Sequence, residues 1–231
     1  MNAFNFSISE EIKSLSIPVI GLHINGIGNA ENAEFETYKN QEITKLQEII
    51  SVSQIEDDVI LKGFRDLHEK VGRSNRKYIA SPEALLNFIV SKGRLPKINP
   101  IVDMYNLISS QSRLALGAHD VIKIVGNVTL RLTKGNESFI PLGKTEPEIV
   151  QPGEYAYIDE GNNVICRLEV LQCNQTKITP ETTDMFLIIQ GNPNTDISYV
   201  RSTAARVGDL IQKYCGGIME MMQPPKREVL A

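Results

Sequence analysis

Residues 99–120 read NPIVDMYNLISSQSRLALGAHD. The stretch opens with the marks of a helix start: Asn99 can cap, and Pro100 can take the first helical position. Ile101, Met104, Tyr105 and Ile108 then share one face, which predicts a helix over 100–110. Asp103 and Asn106 are three residues apart and point the same way. They either line a pocket or simply face solvent. The helix closes in a small-residue stretch that runs into His119–Asp120, which reads as a turn or as the rim of a pocket. Beyond it the period changes: in NVTLRLT, Val128, Leu130 and Leu132 alternate with Thr129 and Arg131, and KGNE supplies a turn. Helical periodicity before this point and extended periodicity after it give an α+β pattern.

Towards the N-terminus, Ser81 reads as an N-cap with Pro82 behind it. Leu85, Leu86, Ile89 and Val90 form an apolar face, and Gly93 stops the helix. Ile60, Phe64, Leu67 and Val71 make a helical stripe over 56–71, with Gly72 following. Residues 35–51 show a weaker helical period, and IPVIGLHING (17–26) reads as a buried strand ending at a glycine turn. Towards the C-terminus, a proline-bearing loop leads to a strand at Tyr155–Ile158. VICRLEVL (164–171) reads as one alternating strand with Arg167 and Glu169 on its exposed face. Thr179–Pro180 can start a short helical turn, and MFLIIQG (185–191) is a strand buried on both sides. Residues 196–222 close the chain as a helix striped by Val200, Ala204, Val207, Leu210, Ile211 and Tyr214. QPPKREVLA reads as a loose tail. Without repeats or a linker, one domain over 1–231 is expected.

The 231 residues are 42% apolar, enough for a sizeable core. No run approaches the roughly 18–20 apolar residues of a membrane span, and MNAFNFSISEEIKSL lacks the features of a signal peptide. Three cysteines without CxxC spacing point to a reducing cytosol rather than to disulfides or zinc. His23, His68 and His119 are scattered, so no metal or other cofactor is expected. The glycines of GLHINGIG (21–28) lack the GxGxxG spacing, and Ser109, Ser110 and Ser112 do not form a nucleophile elbow. Cys173 could pair with His119, or be a small buried thiol. Net charge is −4 but uneven: residues 31–60 carry a local net of −6 and residues 62–97 a local net of +6. Such blocks build a basic face that neutralises phosphate, or two solvated helices of opposite sign.

Polar residues gather at element ends: Asn99, Asp103, Asn106, His119, Asp120 and Arg167, then Gln172, Asn174, Gln175 and Thr176. Loops that follow strands often carry sites, so LQCNQTKIT makes a polar pocket a candidate.

Four stretches occur in order: LPKINPIVDMYNLIS, LALGAHDVIKIVGNVTLRL, FIPLGKTEP…QPGEYAYID and VICRLEVLQCNQTKITPETTDMFLIIQG. Together they resemble the B3/B4 domain of the bacterial phenylalanyl-tRNA synthetase beta subunit, in a free-standing form. The resemblance extends back through ILKGFRDLHEKVGRSN and SPEALLNFIVSKGRLP, covering about residues 57–191. It implies a B3/B4-like α+β fold with a strand-rich core, followed by a helix and tail over 192–231. In the synthetase this domain hydrolyses tyrosine wrongly esterified to phenylalanine tRNA. The resemblance therefore implies a cytoplasmic protein acting in trans on an aminoacyl-tRNA. It would be a deacylase, or alternatively a tRNA- or amino-acid-binding module without hydrolysis. Neither a membrane nor DNA is an implied partner.

Carried over residue by residue, His119 orients water or contacts the ester, and Asp120 holds its imidazole. Asn99, Asp103 and Asn106 line or brace the pocket, and Arg167, Gln172 and Thr176 contact the amino acid or the terminal adenosine. The family's glycine-rich segment ending in a glutamate is missing, with LEVLQCNQT in its place, so tyrosine is not carried over as the substrate. The sequence shows no counterpart to the rest of the beta chain or to the catalytic alpha partner, so a synthetase by itself is not expected.

Overall fold

The computed structural model describes residues 4–222. Its centre is an antiparallel sheet of four strands. β8 (Asp184–Gln190) lies between β3 (Ala115–Asp120) and β2 (Val19–Asn25), and β9 (Ile218–Met222) flanks β2. β8 reads MFLIIQ because both its faces are covered. Met185, Leu187 and Ile189 join Ile20, Leu22 and Ile24 of β2 against helices. Phe186 and Ile188 join Val19 and Ala115 against a second sheet.

That second sheet runs in the order β1 (Phe6–Ile8), β4 (Val128–Leu132), β5 (Tyr155–Asp159), β6 (Val164–Arg167) and β7 (Leu171–Gln172). β1 is parallel to β4, and the other pairings are antiparallel. The core between the sheets includes Phe6, Leu130, Tyr155, Tyr157 and Ile165. Helices α2 (Ala33–Ile49), α6 (Pro100–Ser112) and α7 (Ile197–Cys215) cover the outer face of the first sheet. A short α1 (Glu10–Lys13), together with α3 (Val52–Asp57), α4 (Val59–Lys70) and α5 (Ser81–Lys92), completes the α+β fold.

Local chemistry explains most helix ends. The Asn99 side chain accepts the Val102 N–H at 3.0 Å, as expected, and Asp58 accepts those of Ile60 and Leu61 at 2.9 and 3.0 Å. The Asp58 cap splits the stripe expected over 56–71 into α3 and α4. Gly93 ends α5 at φ +69°. At the other end Ala80, not Ser81, is the capping position, with no side-chain bond, and Val90 is exposed.

Three expectations are corrected by longer-range pairing. GAHD belongs to a strand, β3, whose partner β8 is far away in sequence. Residues 164–171 are not one strand: the chain turns at Leu168–Val170, and Arg167 and Glu169 are both buried. The helix expected over 196–222 stops at Cys215, because Gly216 and Gly217 take φ +71° and +95° and turn the chain into β9. The short turn expected from Thr179–Pro180 is present, with the Thr182 N–H donating to the Thr179 carbonyl at 3.1 Å. The tail from Gln223 lies outside the described residues, among which no helix is long and apolar enough to cross a membrane.

Candidate functional site

A cleft of about 260 Å³ lies among α6, β3, β8 and the β5–β7 end of the second sheet. Its rim carries Ile98, Leu142 and Lys177, all exposed. Val102, Tyr105, Leu116, Val170, Ile178 and Ile188 make the walls apolar. Val102, Tyr105 and Asn106 come from one face of α6, as the helical period requires.

The innermost surface is polar. Tyr157, Glu169 and Gln190 line it and are buried. The Tyr157 hydroxyl donates to Gln190 Oε1 at 2.7 Å, and Gln190 Nε2 donates to Glu169 Oε2 at 3.0 Å. The other carboxylate oxygen lies 2.6 Å from His68 Nε2, and His68 Nδ1 lies 3.1 Å from the Tyr78 carbonyl. A carbonyl can only accept, so Nδ1 carries a hydrogen. The Nε2–Oε1 contact then needs a second proton, on the ring or on the carboxyl, and the pair is neutral overall. Burial pushes the Glu169 carboxyl up against the pull of His68. Burial disfavours the His68 charge, but the bond to Glu169 outweighs it and raises the ring's pKa.

The backbone under Glu169 is strained. Val170 N–H closes a turn onto the Arg167 carbonyl at 3.0 Å, with Leu168 and Glu169 at φ +52° and +46°. Positive φ at both central positions normally selects Asn-Gly, and non-glycine residues there cost about 1–2 kcal/mol each. Burial also pushes up the thiol of Cys166, which makes it a neutral wall atom.

Of the residues nominated by sequence, the cleft wall contains Asn106 and Gln172. The Gln172 carboxamide crosses Gly117, where a Cβ would sit 2.2 Å from Gln172 Nε2. His119 is fully buried, two residues beyond Gly117 and outside the wall. Its Nδ1 is 2.7 Å from Thr176 Oγ1, its Nε2 has no partner, and burial lowers its pKa to about 3. The expected His119–Asp120 pairing does not form, because consecutive strand residues face opposite sides. Asp120 instead accepts the Ile122 N–H (3.1 Å) and the Thr182 hydroxyl (2.9 Å). Thr176 lies between His119 and Cys173, whose Sγ is 3.0 Å from the threonine hydroxyl, so no direct Cys–His pair exists.

Asn99 is a helix cap rather than a wall residue. Asp103 is buried, bonded to Lys39 at 2.7 Å and to the Ile98 N–H at 3.0 Å, not solvated. Arg167 pairs with Glu154 and with the Tyr78 hydroxyl, away from the cleft.

The sequence reading missed Glu169, His68, Gln190 and Tyr157 as site residues. Two signals were available: His68 is four residues after Phe64 on the apolar face of α4, and Gln190 continues the inward Phe186–Ile188 alternation of β8. The basic block over 62–97 is partly neutralised by ion pairs, both within the block and to acids outside it. Lys62 pairs with Asp66, Arg65 with Glu83, Arg73 with Glu154 and Lys97 with Glu31. Among the described residues, no cluster of three His, Cys, Asp or Glu side chains could hold a metal ion.

A family model described as the B3/4 domain matches residues 64–216. The phenylalanine–tRNA ligase beta subunit of Mycoplasma genitalium is 28% identical over 128 residues, covering 55% of this chain and 15% of that protein. The beta subunit from Fusobacterium nucleatum is 31% identical over 113 residues, covering 49% of this chain and 14% of that protein. The matched region is thus a small part of these curated relatives. A crystal structure of an N-terminal fragment of the phenylalanyl-tRNA synthetase beta-subunit from Pyrococcus horikoshii superposes with a TM-score of 0.52. It covers 95% of this chain and 50% of that one at 15% identity, a likeness of fold.

Proposed function

Because the chain belongs to the B3/4 domain family, we propose that it is a trans-acting aminoacyl-tRNA deacylase, whose cleft takes the aminoacyl end of a charged tRNA. The observation that carries this reading is the cleft itself: apolar walls above a buried polar floor, with Lys177 on an exposed rim. Its curated relatives are subunits of a ligase that joins phenylalanine to tRNA.

An aminoacyl ester needs modest help to hydrolyse, namely a held water and a donor for the developing oxyanion. Water adds to the ester carbonyl, the bond to the ribose oxygen breaks, and that oxygen takes the proton. The carboxamides of Asn106 and Gln172 face the cleft and can hold the water or donate to the carbonyl oxygen. Lys177 can neutralise a phosphate at the mouth.

In this reading His119 and Asp120 are positioning residues. His119 holds Thr176 and Asp120 holds Thr182, bracketing the loop that brings Lys177 and Ile178 to the cleft. Deacylation of a panel of correctly and wrongly charged tRNAs tests the proposal. The wild type is expected to hydrolyse a subset, with Asn106→Ala and Gln172→Ala slower by on the order of 10²-fold. If no species is hydrolysed the deacylase is ruled out, and salt-dependent tRNA binding in the same samples would then leave a binding module.

A further inference from the structure

We propose that the floor of the cleft, formed by Glu169 and Gln190 side by side, selects a ligand whose inner end both donates and accepts hydrogen bonds, namely a primary carboxamide. The inference rests on the reading of the cleft as the aminoacyl pocket. It names the substrate class as an ester whose side chain ends in an amide.

Hydrogen-bond bookkeeping carries the argument. Gln190 Oε1 is occupied by the Tyr157 hydroxyl, which fixes the amide so that its NH₂ points to Glu169. One of the two Gln190 N–H groups goes to Glu169, and the second remains for a ligand. Glu169 sets one oxygen against His68 and accepts from Gln190 on the other, and the buried Tyr155 hydroxyl beside the carboxyl takes a third lone pair, which leaves one for a ligand. The floor therefore presents an acceptor and a donor together, and a primary carboxamide presents the complement. A carboxylate would bring two acceptors against Glu169, and a ketone would leave Glu169 without a donor. Sites built around buried hydrogen bonds reject analogues that cannot make them far more strongly than apolar pockets reject a methylene.

The strained turn is a second, independent observation. Leu168 and Glu169 hold left-handed backbone where Asn-Gly would be relaxed. Strain of this kind accumulates where a side chain must be presented. His68, reaching from α4, keeps the Glu169 carboxyl fixed and is a positioning residue.

The test is an NMR titration of the full chain with a matched series: pentanamide, pentanoate, 2-hexanone and 1-pentanol. Pentanamide is expected to bind at least tenfold more tightly than pentanoate and 2-hexanone, with shifts at Glu169 and Gln190. That preference is expected to collapse in Gln190→Leu. Equal binding of amide and ketone, or no binding of any probe, overturns the proposal on wild-type protein alone, whatever the variant's folding. 1-Pentanol binding as tightly as the amide would replace the carboxamide by a hydroxyl and so overturn the assignment too. Amide selectivity without hydrolysis of any aminoacyl-tRNA would sink the deacylase and leave this inference standing. Hydrolysis indifferent to the side chain would do the reverse.

Discussion

His119 has the chemistry of a general base but the wrong address. Buried at the end of β3 with one ring nitrogen on Thr176 and the other unpartnered, it stays neutral, with a pKa lowered to about 3. An unfolded histidine titrates near 6.5, so between these values the unfolded chain binds the extra proton. The ring's contribution to stability is therefore complete above about pH 6.5 and is lost as pH falls towards 3, at no more than about 1.4 kcal/mol per pH unit. The NMR signal of the His119 ring is expected to show no titration between pH 8 and 4, and a midpoint near 6.5 would refute its burial. His68 shows the opposite outcome for the same residue type, because Glu169 supplies a partner where His119 has none.

At the level of elements, β3 and the β6–β7 turn set the shape of the cleft. Gly117 leaves room for the Gln172 amide to cross the strand. In Gly117→Ala the new methyl is expected to push this flexible amide into the cleft. Pentanamide binding should weaken about tenfold while the melting temperature stays within a few degrees, since the displaced group is a side-chain end rather than backbone. A matching loss of stability would show that Gly117 serves the fold instead.

What the sequence made legible follows the same division between local and distant causes. α6 could be read because its cap, first-turn proline and apolar face all lie within a dozen residues. β8 could be read because burial on both faces leaves an unbroken apolar run. β1 and β3 could not, since three residues or a small-residue run become strands through partners more than 60 residues away. Asn106 and Gln172 were visible as polar groups at element ends. Glu169 was hidden because its turn uses Leu-Glu, which carries no turn signature and reads as strand alternation. The His119–Asp120 pairing failed on strand geometry, which a dipeptide cannot display until it is known to be a strand.

For the whole molecule, the two sheets are joined at an aromatic seam. Phe6 is buried with its ring 5.9 Å from Tyr157 in one sheet and 5.4 Å from Phe186 in the other. Phe6→Ala removes the residue that touches both and is expected to cost about 3–5 kcal/mol, measured by denaturant unfolding. A cost below 1 kcal/mol would mean that β1 is dispensable to the seam. Charge is likewise distributed across the fold, with Lys97 of the basic block meeting Glu31 of the acidic one. The placement of β2 (Val19–Asn25) has a consequence for how the protein is made. Its two neighbours, β8 and β9, are encoded far downstream. A ribosome adding about 5–20 residues per second needs on the order of ten seconds between β2 and β8. Throughout that interval VIGLHIN leaves the exit tunnel with both edges open, a sticky segment that nascent-chain chaperones would have reason to hold until its partners arrive.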